Sequence, residues 1–167
     1  MIRLKTPIQE TDINQLRVGD VVSITGYIYT GRDAVLPKIV KLIEQGQWDK
    51  YGIDLKGSVI FHTAVSPAGV GPTSSNKLDI ESSFPILSQA GVKLYLGKGA
   101  LSANTIRSLD ENHSVFAVIP PVTALLESLT LEREVVAFPE LGMEALHRIK
   151  VENYQAIIAV AHGNSIY

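Results

Sequence analysis

Apolar residues in this chain come in short runs, most of them strand-length and bounded by glycine, proline or polar turns. Residues 21–29, rich in β-branched and aromatic side chains, predict a strand. Asp33 is placed to cap the helix after it, on which Leu36, Ile39, Val40 and Ile43 share one face. Pro37 falls near the first turn, where a missing N–H costs least, and Gly46 is the stop. Residues 58–65 predict a second strand, followed by a loop over 66–77. A helical stretch then runs to Gly91, kinked or split by Pro85. The next strand, 92–96, ends in Gly97-Lys98-Gly99, and a helix starts at Ser102 and reaches about Leu109. Residues 114–119 form another strand, stopped by Pro120-Pro121, and 122–129 a short helix. Strands follow at 134–138 and 155–160, and between them 147–151 alternates like an exposed or edge strand.

Strands outnumber helices, and helices follow several of them, which predicts an α/β fold with a mixed central sheet and flanking helices. Several strands are continuous apolar runs, as expected when both faces are buried. The first strand and the last two leave room for a second, antiparallel layer. At 167 residues, without repeats or linkers, the chain reads as one domain over 1–167.

Composition narrows the function classes. Apolar residues make up 46 % and charged residues 19 %, enough for a core without disulfide staples. The low charged fraction admits two readings, a compact domain or a surface partly covered by another subunit. Net charge is −2 and no lysine–arginine run stands out, which argues against nucleic acid as a partner. No apolar stretch approaches the roughly 20 residues that span a bilayer, and Met1-Ile2-Arg3-Leu4-Lys5 leads into polar residues. No membrane partner and a cytoplasmic location are the expectation. The chain has no cysteine, so it forms no disulfide and holds no iron–sulfur cluster through its own thiolates. His62, His113, His147 and His162 are far apart and none sits at metal-ligand spacing with a carboxylate, so no metal ligand is expected.

Three glycine-marked segments stand at strand-to-helix junctions, where α/β folds collect ligands, and each carries a cation. In Thr30-Gly31-Arg32-Asp33, the Arg32 guanidinium either clamps a carboxylate with two parallel hydrogen bonds or pairs at the surface with Asp33. In Gly71-Pro72-Thr73-Ser74-Ser75-Asn76-Lys77, hydroxyls, an amide and an ammonium open a helix, which suits an anion; one capping hydroxyl would serve a purely structural end. In Gly97-Lys98-Gly99 the lysine either approaches a ligand or ends a strand as an ordinary polar residue. This inventory suits a small dicarboxylate better than a phosphate ester, and the glycine spacing is not that of a P-loop or dinucleotide fold. Moving water next to a carboxylate also needs an acid for the hydroxyl and a base for the carbon-bound proton. The chain shows no metal cluster and no Ser-His-Asp order, so the site reads as half of one.

Gly31-Arg32-Asp33-Ala34, Gly71-Pro72-Thr73-Ser74-Ser75, Gly97-Lys98 and Glu140-Leu141-Gly142-Met143-Glu144-Ala145 together resemble, in order and spacing, the motifs of the C-terminal domain of class I fumarases. The same domain is a separate β subunit in split fumarases and in L-tartrate dehydratase. The resemblance covers nearly the whole chain. It implies a swivelling β/β/α domain and an α-subunit partner holding a four-iron–four-sulfur cluster by three cysteines, in a hetero-oligomer. It implies a hydro-lyase, fumarate hydratase first, with tartrate dehydratase or a non-catalytic metabolite-binding module as alternatives. Carried over by position, Arg32 would bind a substrate carboxylate and Thr73 would lie at the substrate near the proton removed. Ser74 would belong to the same hydroxyl-lined substrate site. Lys77 stands where the family usually has an arginine for the second carboxylate, and Lys98 matches the family's lysine at the site. Thr73 and Lys98 are thus the candidate catalytic residues, and Arg32, Ser74 and Lys77 the remaining substrate-binding ones. The family pattern Ala-His-Lys-Arg after the Arg-Asp-Ala motif is replaced by Val35-Leu36-Pro37-Lys38, and Pro120-Pro121 stands where relatives carry paired glycines.

Overall fold

The computed structural model describes residues 1–66, 69–72, 77–120 and 123–167. Its main sheet contains β1 (Ile2–Lys5), β2 (Val21–Thr30), β3 (Val59–Phe61), β6 (Leu94–Gly97), β7 (Val115–Val118), β8 (Thr130–Ala137), β9 (Leu146–Ala161) and β10 (Asn164–Ser165). A hairpin of β4 (Thr63–Ser66) and β5 (Gly69–Pro72) stands apart as a second, two-stranded sheet. The helices are α1 (Glu10–Gln15), α2 (Leu36–Glu44), α3 (Lys77–Glu81), α4 (Phe84–Gln89), α5 (Ala103–Glu111) and α6 (Thr123–Ser128). A 3₁₀ turn covers Trp48–Tyr51, and two short 3₁₀ segments joined across a kink at Gly142 cover Pro139–Glu144.

Strands β2, β3, β6 and β7 run parallel side by side. The sixteen-residue β9 then pairs antiparallel with both β7 and β2, which closes these five strands into a barrel. The other edge of β9's first half carries β8. The mixed sheet is therefore one closed layer; β2, the strand expected at 21–29, and β9 are antiparallel partners within it and form no second layer.

Side-chain alternation explains the continuous apolar runs. Val22, Ile24 and Ile28 of β2, Val59 and Phe61 of β3, Leu94 and Leu96 of β6, and Val115 and Ala117 of β7 fill the barrel interior. The intervening Ile60, Tyr95 and Phe116 face outward into a second core with Leu36 and Ile39 of α2, Phe84 and Leu87 of α4, and Leu109 of α5. Both faces of these strands are buried, and each buried aliphatic or aromatic side chain contributes roughly 1.5–3 kcal/mol.

Element boundaries follow local chemistry, with instructive departures. Gly46 takes φ +67° after α2, and Gln47 N–H bonds to Leu42 C=O at 2.8 Å, the six-to-one bond of a glycine-terminated helix. Ser102 caps α5 by accepting from Thr105 N–H. Asp33 does not cap α2: the helix begins at Leu36 after Val35, and the Arg32 carbonyl accepts from Leu36 N–H at 3.0 Å. The strand expected at 58–65 breaks at His62, where the chain leaves the barrel for the hairpin. The strands expected at 147–151 and 155–160 are one strand, β9, and its first part is paired on both edges instead of lying at an edge. A bulge absorbs the change of register: Asn153 takes φ +55° and donates its N–H to Thr25 Oγ1 at 3.0 Å, next to Gly26, which has φ +124° and pairs with Val151. No helix of the described residues is long and apolar enough to cross a membrane.

Candidate functional site

Four parallel strands necessarily point their carboxyl ends the same way, and here three of the four sequence motifs leave the barrel at that end. Thr30 of β2 pairs with Phe61 of β3, and Phe61 pairs with Leu96 of β6. Arg32 and Lys98 each lie two residues past those in-register positions, on strands separated only by β3. At roughly 4.8 Å per strand spacing, their backbones are set on the order of 10 Å apart, a gap that two long side chains facing one small ligand can span.

Gly31 is fixed by crowding. Its N–H continues the β2–β3 ladder to Phe61 C=O at 3.0 Å, and a Cβ there would lie 2.6 Å from Val35 Cγ1. Gly97 is similar: a Cβ would meet His62 Nδ1 at 3.1 Å and the Phe116 ring at 3.2 Å. Lys98 follows directly and is exposed. The second motif reaches the same end by a different path. Pro72 of β5 pairs with Thr63 of β4, so the hairpin returns the chain to the end of β3, and α3 starts at Lys77. Thr73 and Ser74 lie outside the described residues, as do Ser75 and Asn76. The candidate cations Arg32 and Lys98 are thus brought to one end of the molecule, together with the approaches to the hydroxyl segment.

The fourth motif joins them from across the chain. The 3₁₀ turn Pro139–Glu144 packs against β4 and ends at Glu144. Arg32 Nε donates to Glu144 Oε1 at 2.7 Å and to Oε2 at 3.0 Å, and Nη2 donates to Oε1 as well. The pair is largely shielded, with side-chain exposures of 18 % and 24 %. The hydrogen bonds that Arg32 donates to Glu144 raise the guanidinium pKa further above its ordinary value, against a smaller opposing effect of burial. Asp33, the partner expected from adjacency, adds only a weaker charge effect. Glu144 was visible in the sequence as part of its motif, but nothing local revealed its partner.

His62, at the end of β3, was not singled out for chemistry. Its ring stacks on Phe84 with centroids 5.3 Å apart and lies near Tyr95 and Phe116. Among the described residues its buried Nε2 has no hydrogen-bond partner, and burial lowers its pKa to about 3. It is a neutral core histidine. Among the described residues no three histidine, cysteine, aspartate or glutamate side chains are grouped to hold a metal ion.

Comparison with known proteins fits this motif set. Residues 1–167 match the family model described as Fumarase C-terminus. The L(+)-tartrate dehydratase subunit beta of Escherichia coli K12 is 31 % identical over 177 residues, covering 98 % of this chain and 85 % of the relative. A Methanocaldococcus jannaschii protein provisionally named L(+)-tartrate dehydratase subunit beta is 30 % identical over 175 residues, covering 96 % of this chain and 88 % of the relative. A Geobacillus stearothermophilus protein provisionally named fumarate hydratase class I is 29 % identical over 180 residues, and the match takes in all of this chain but 34 % of that protein. Motif order and a family match that runs from the first residue to the last lead to one conclusion: the chain belongs to the fumarase C-terminus family.

Proposed function

We propose that this chain is the β subunit of an iron–sulfur-dependent hydro-lyase, most simply fumarate hydratase, which reversibly adds water to fumarate to give (S)-malate. In this reading residues 1–167 act as one domain of the swivelling β/β/α type. The domain supplies dicarboxylate-binding groups to a site completed by a cluster-bearing α subunit. The observation that carries it is the placement of Arg32 and Lys98 just past in-register strand ends at one end of the barrel.

The chain's own residues do not fit a four-iron–four-sulfur cluster: it has no cysteine, and no alternative ligand group exists among the described residues. The cluster therefore belongs to the partner in this reading, and this chain acts on the organic part of the substrate. Arg32 and Lys77 would bind the two carboxylates, with Ser74 donating a hydrogen bond. Lys98 would stabilise the negative charge that builds on a carboxylate as the adjacent carbon loses its proton. Thr73 would stand near that proton.

A second reading, the β subunit of L-tartrate dehydratase, is favoured by a specific observation. The relatives named as that subunit are matched over 85–88 % of their length, against 34 % for the fumarate hydratase relative. The discriminating experiment is co-expression with a partner carrying three spaced cysteines, followed by turnover of fumarate and of L-tartrate. The expected result is a cluster-containing complex that hydrates fumarate faster. A preference for tartrate selects the second reading. A chain that ignores the partner yet binds a metabolite tightly would be a binding module, and both enzyme readings would fall.

A further inference from the structure

We propose that Glu144 is the positioning residue for Arg32, fixing the guanidinium plane so that a ligand carboxylate meets it in a single orientation. The role in turnover rests on the function proposed above; the clamp itself does not.

The geometry comes from register. Thr30 of β2 pairs antiparallel with His147 of β9, so the extension of β2 to Arg32 runs opposite the residues just before β9 begins. Glu144 sits at that point, 112 residues away in sequence. Two features hold it. Ala145, next in the chain, is buried and donates its N–H to Gly142 C=O at 3.0 Å. Gly142 has φ +60° and ψ −121°, a backbone region open essentially to glycine alone. A Cβ on Gly142 would touch nothing within 4 Å, so glycine is required there for its conformation and not for space. The Leu-Gly-Met-Glu-Ala motif thus reads as a turn that aims one carboxylate.

That carboxylate takes the Nε–Nη2 edge of Arg32. A planar guanidinium held along one edge has its plane set, so a ligand carboxylate meets it in one orientation. The pairing also offsets the charge of Arg32.

A plain structural tether would show the same contact, so the test separates the two. In the complex with its partner, Glu144→Gln should lower kcat/KM for the dicarboxylate by about tenfold to a hundredfold, as misplacement by an ångström does. Glu144→Asp should restore part of it. In an Arg32→Ala background, Glu144→Gln should cost nothing more, because it acts only through Arg32. On the isolated chain, the Arg32 Nε–H resonance should be protected from solvent exchange in the wild type and lose protection in Glu144→Gln. Equal losses in both backgrounds, normal kinetics in Glu144→Gln, or an unprotected Arg32 Nε–H would each overturn the proposal. If the wild-type complex turns over no dicarboxylate, the functional reading falls, and the Nε–H protection alone decides the clamp.

Discussion

Arg32 and His62 stand on neighbouring strands at the same end of the barrel and meet opposite electrostatic conditions. Arg32 is charged at any ordinary pH, and a carboxylate accepts its hydrogen bonds. His62 is neutral because it is buried among aromatic rings and, among the described residues, nothing bonds to its Nε2. With a folded-state pKa of about 3 against roughly 6.5 in the unfolded chain, His62 takes up its proton first in the unfolded state as pH falls. Its contribution is therefore complete above the unfolded pKa and drains at about 1.4 kcal/mol per pH unit below it, reaching about 2 kcal/mol at pH 5. His62→Phe keeps the ring stack and removes the titration. Urea midpoints of wild type and variant, compared between pH 7 and pH 5, should fall more steeply for the wild type. Parallel profiles would mean that His62 does not carry this dependence. At this scale the sequence marked Arg32 and Lys98 correctly as strand-end cations, because a cation after a glycine at the end of an apolar run is a local pattern. The Glu144 partner of Arg32 is 112 residues away, and no local pattern points to it.

Elements were legible where hydrophobic period and punctuation agreed, as with α2, stopped by Gly46, and α5, capped by Ser102. They were misread where a strand's fate depends on distant pairing. Residues 147–151 alternate in a way that suits an edge, yet β2 and β8 flank them. The link between the halves of β9 is a bulge at Asn153, whose positive φ no period reveals. Gly26, next to that bulge, holds φ +124°, and a Cβ on it would fall 2.2 Å from Thr6 Oγ1. Gly26→Ala must both strain the backbone and push away the segment following β1. The expected cost is about 2 kcal/mol or more, a fall in melting temperature of roughly 5 °C or more for a chain this size. A variant that melts within a degree of the wild type would contradict the bulge's geometry. The short elements at 2–5, 10–15, 48–51, 139–144 and 164–165 escaped sequence reading because tertiary packing supports them more than propensity does.

For the whole molecule, the arrangement follows from strand direction. A set of parallel strands closed by one antiparallel strand sends the Arg32, hairpin and Lys98 segments out of the same end of the barrel. The turn bearing Glu144 packs against the hairpin at that end. Closure itself was not readable, since it depends on β9 pairing with both β2 and β7 across long stretches of chain. The cysteine count, zero, excludes a cluster held by this chain's own thiolates. In the function proposed above, cations at this end bind the substrate's carboxylates once a partner completes the site. The most direct test is kcat/KM of the reconstituted complex for its preferred dicarboxylate, wild type against Lys98→Ala. Lys98 is exposed after a strand end, so the variant should fold and assemble normally. The account predicts a fall of about a hundredfold, the size seen when one charge-stabilising group is lost. Near-wild-type turnover by an intact Lys98→Ala complex would contradict it.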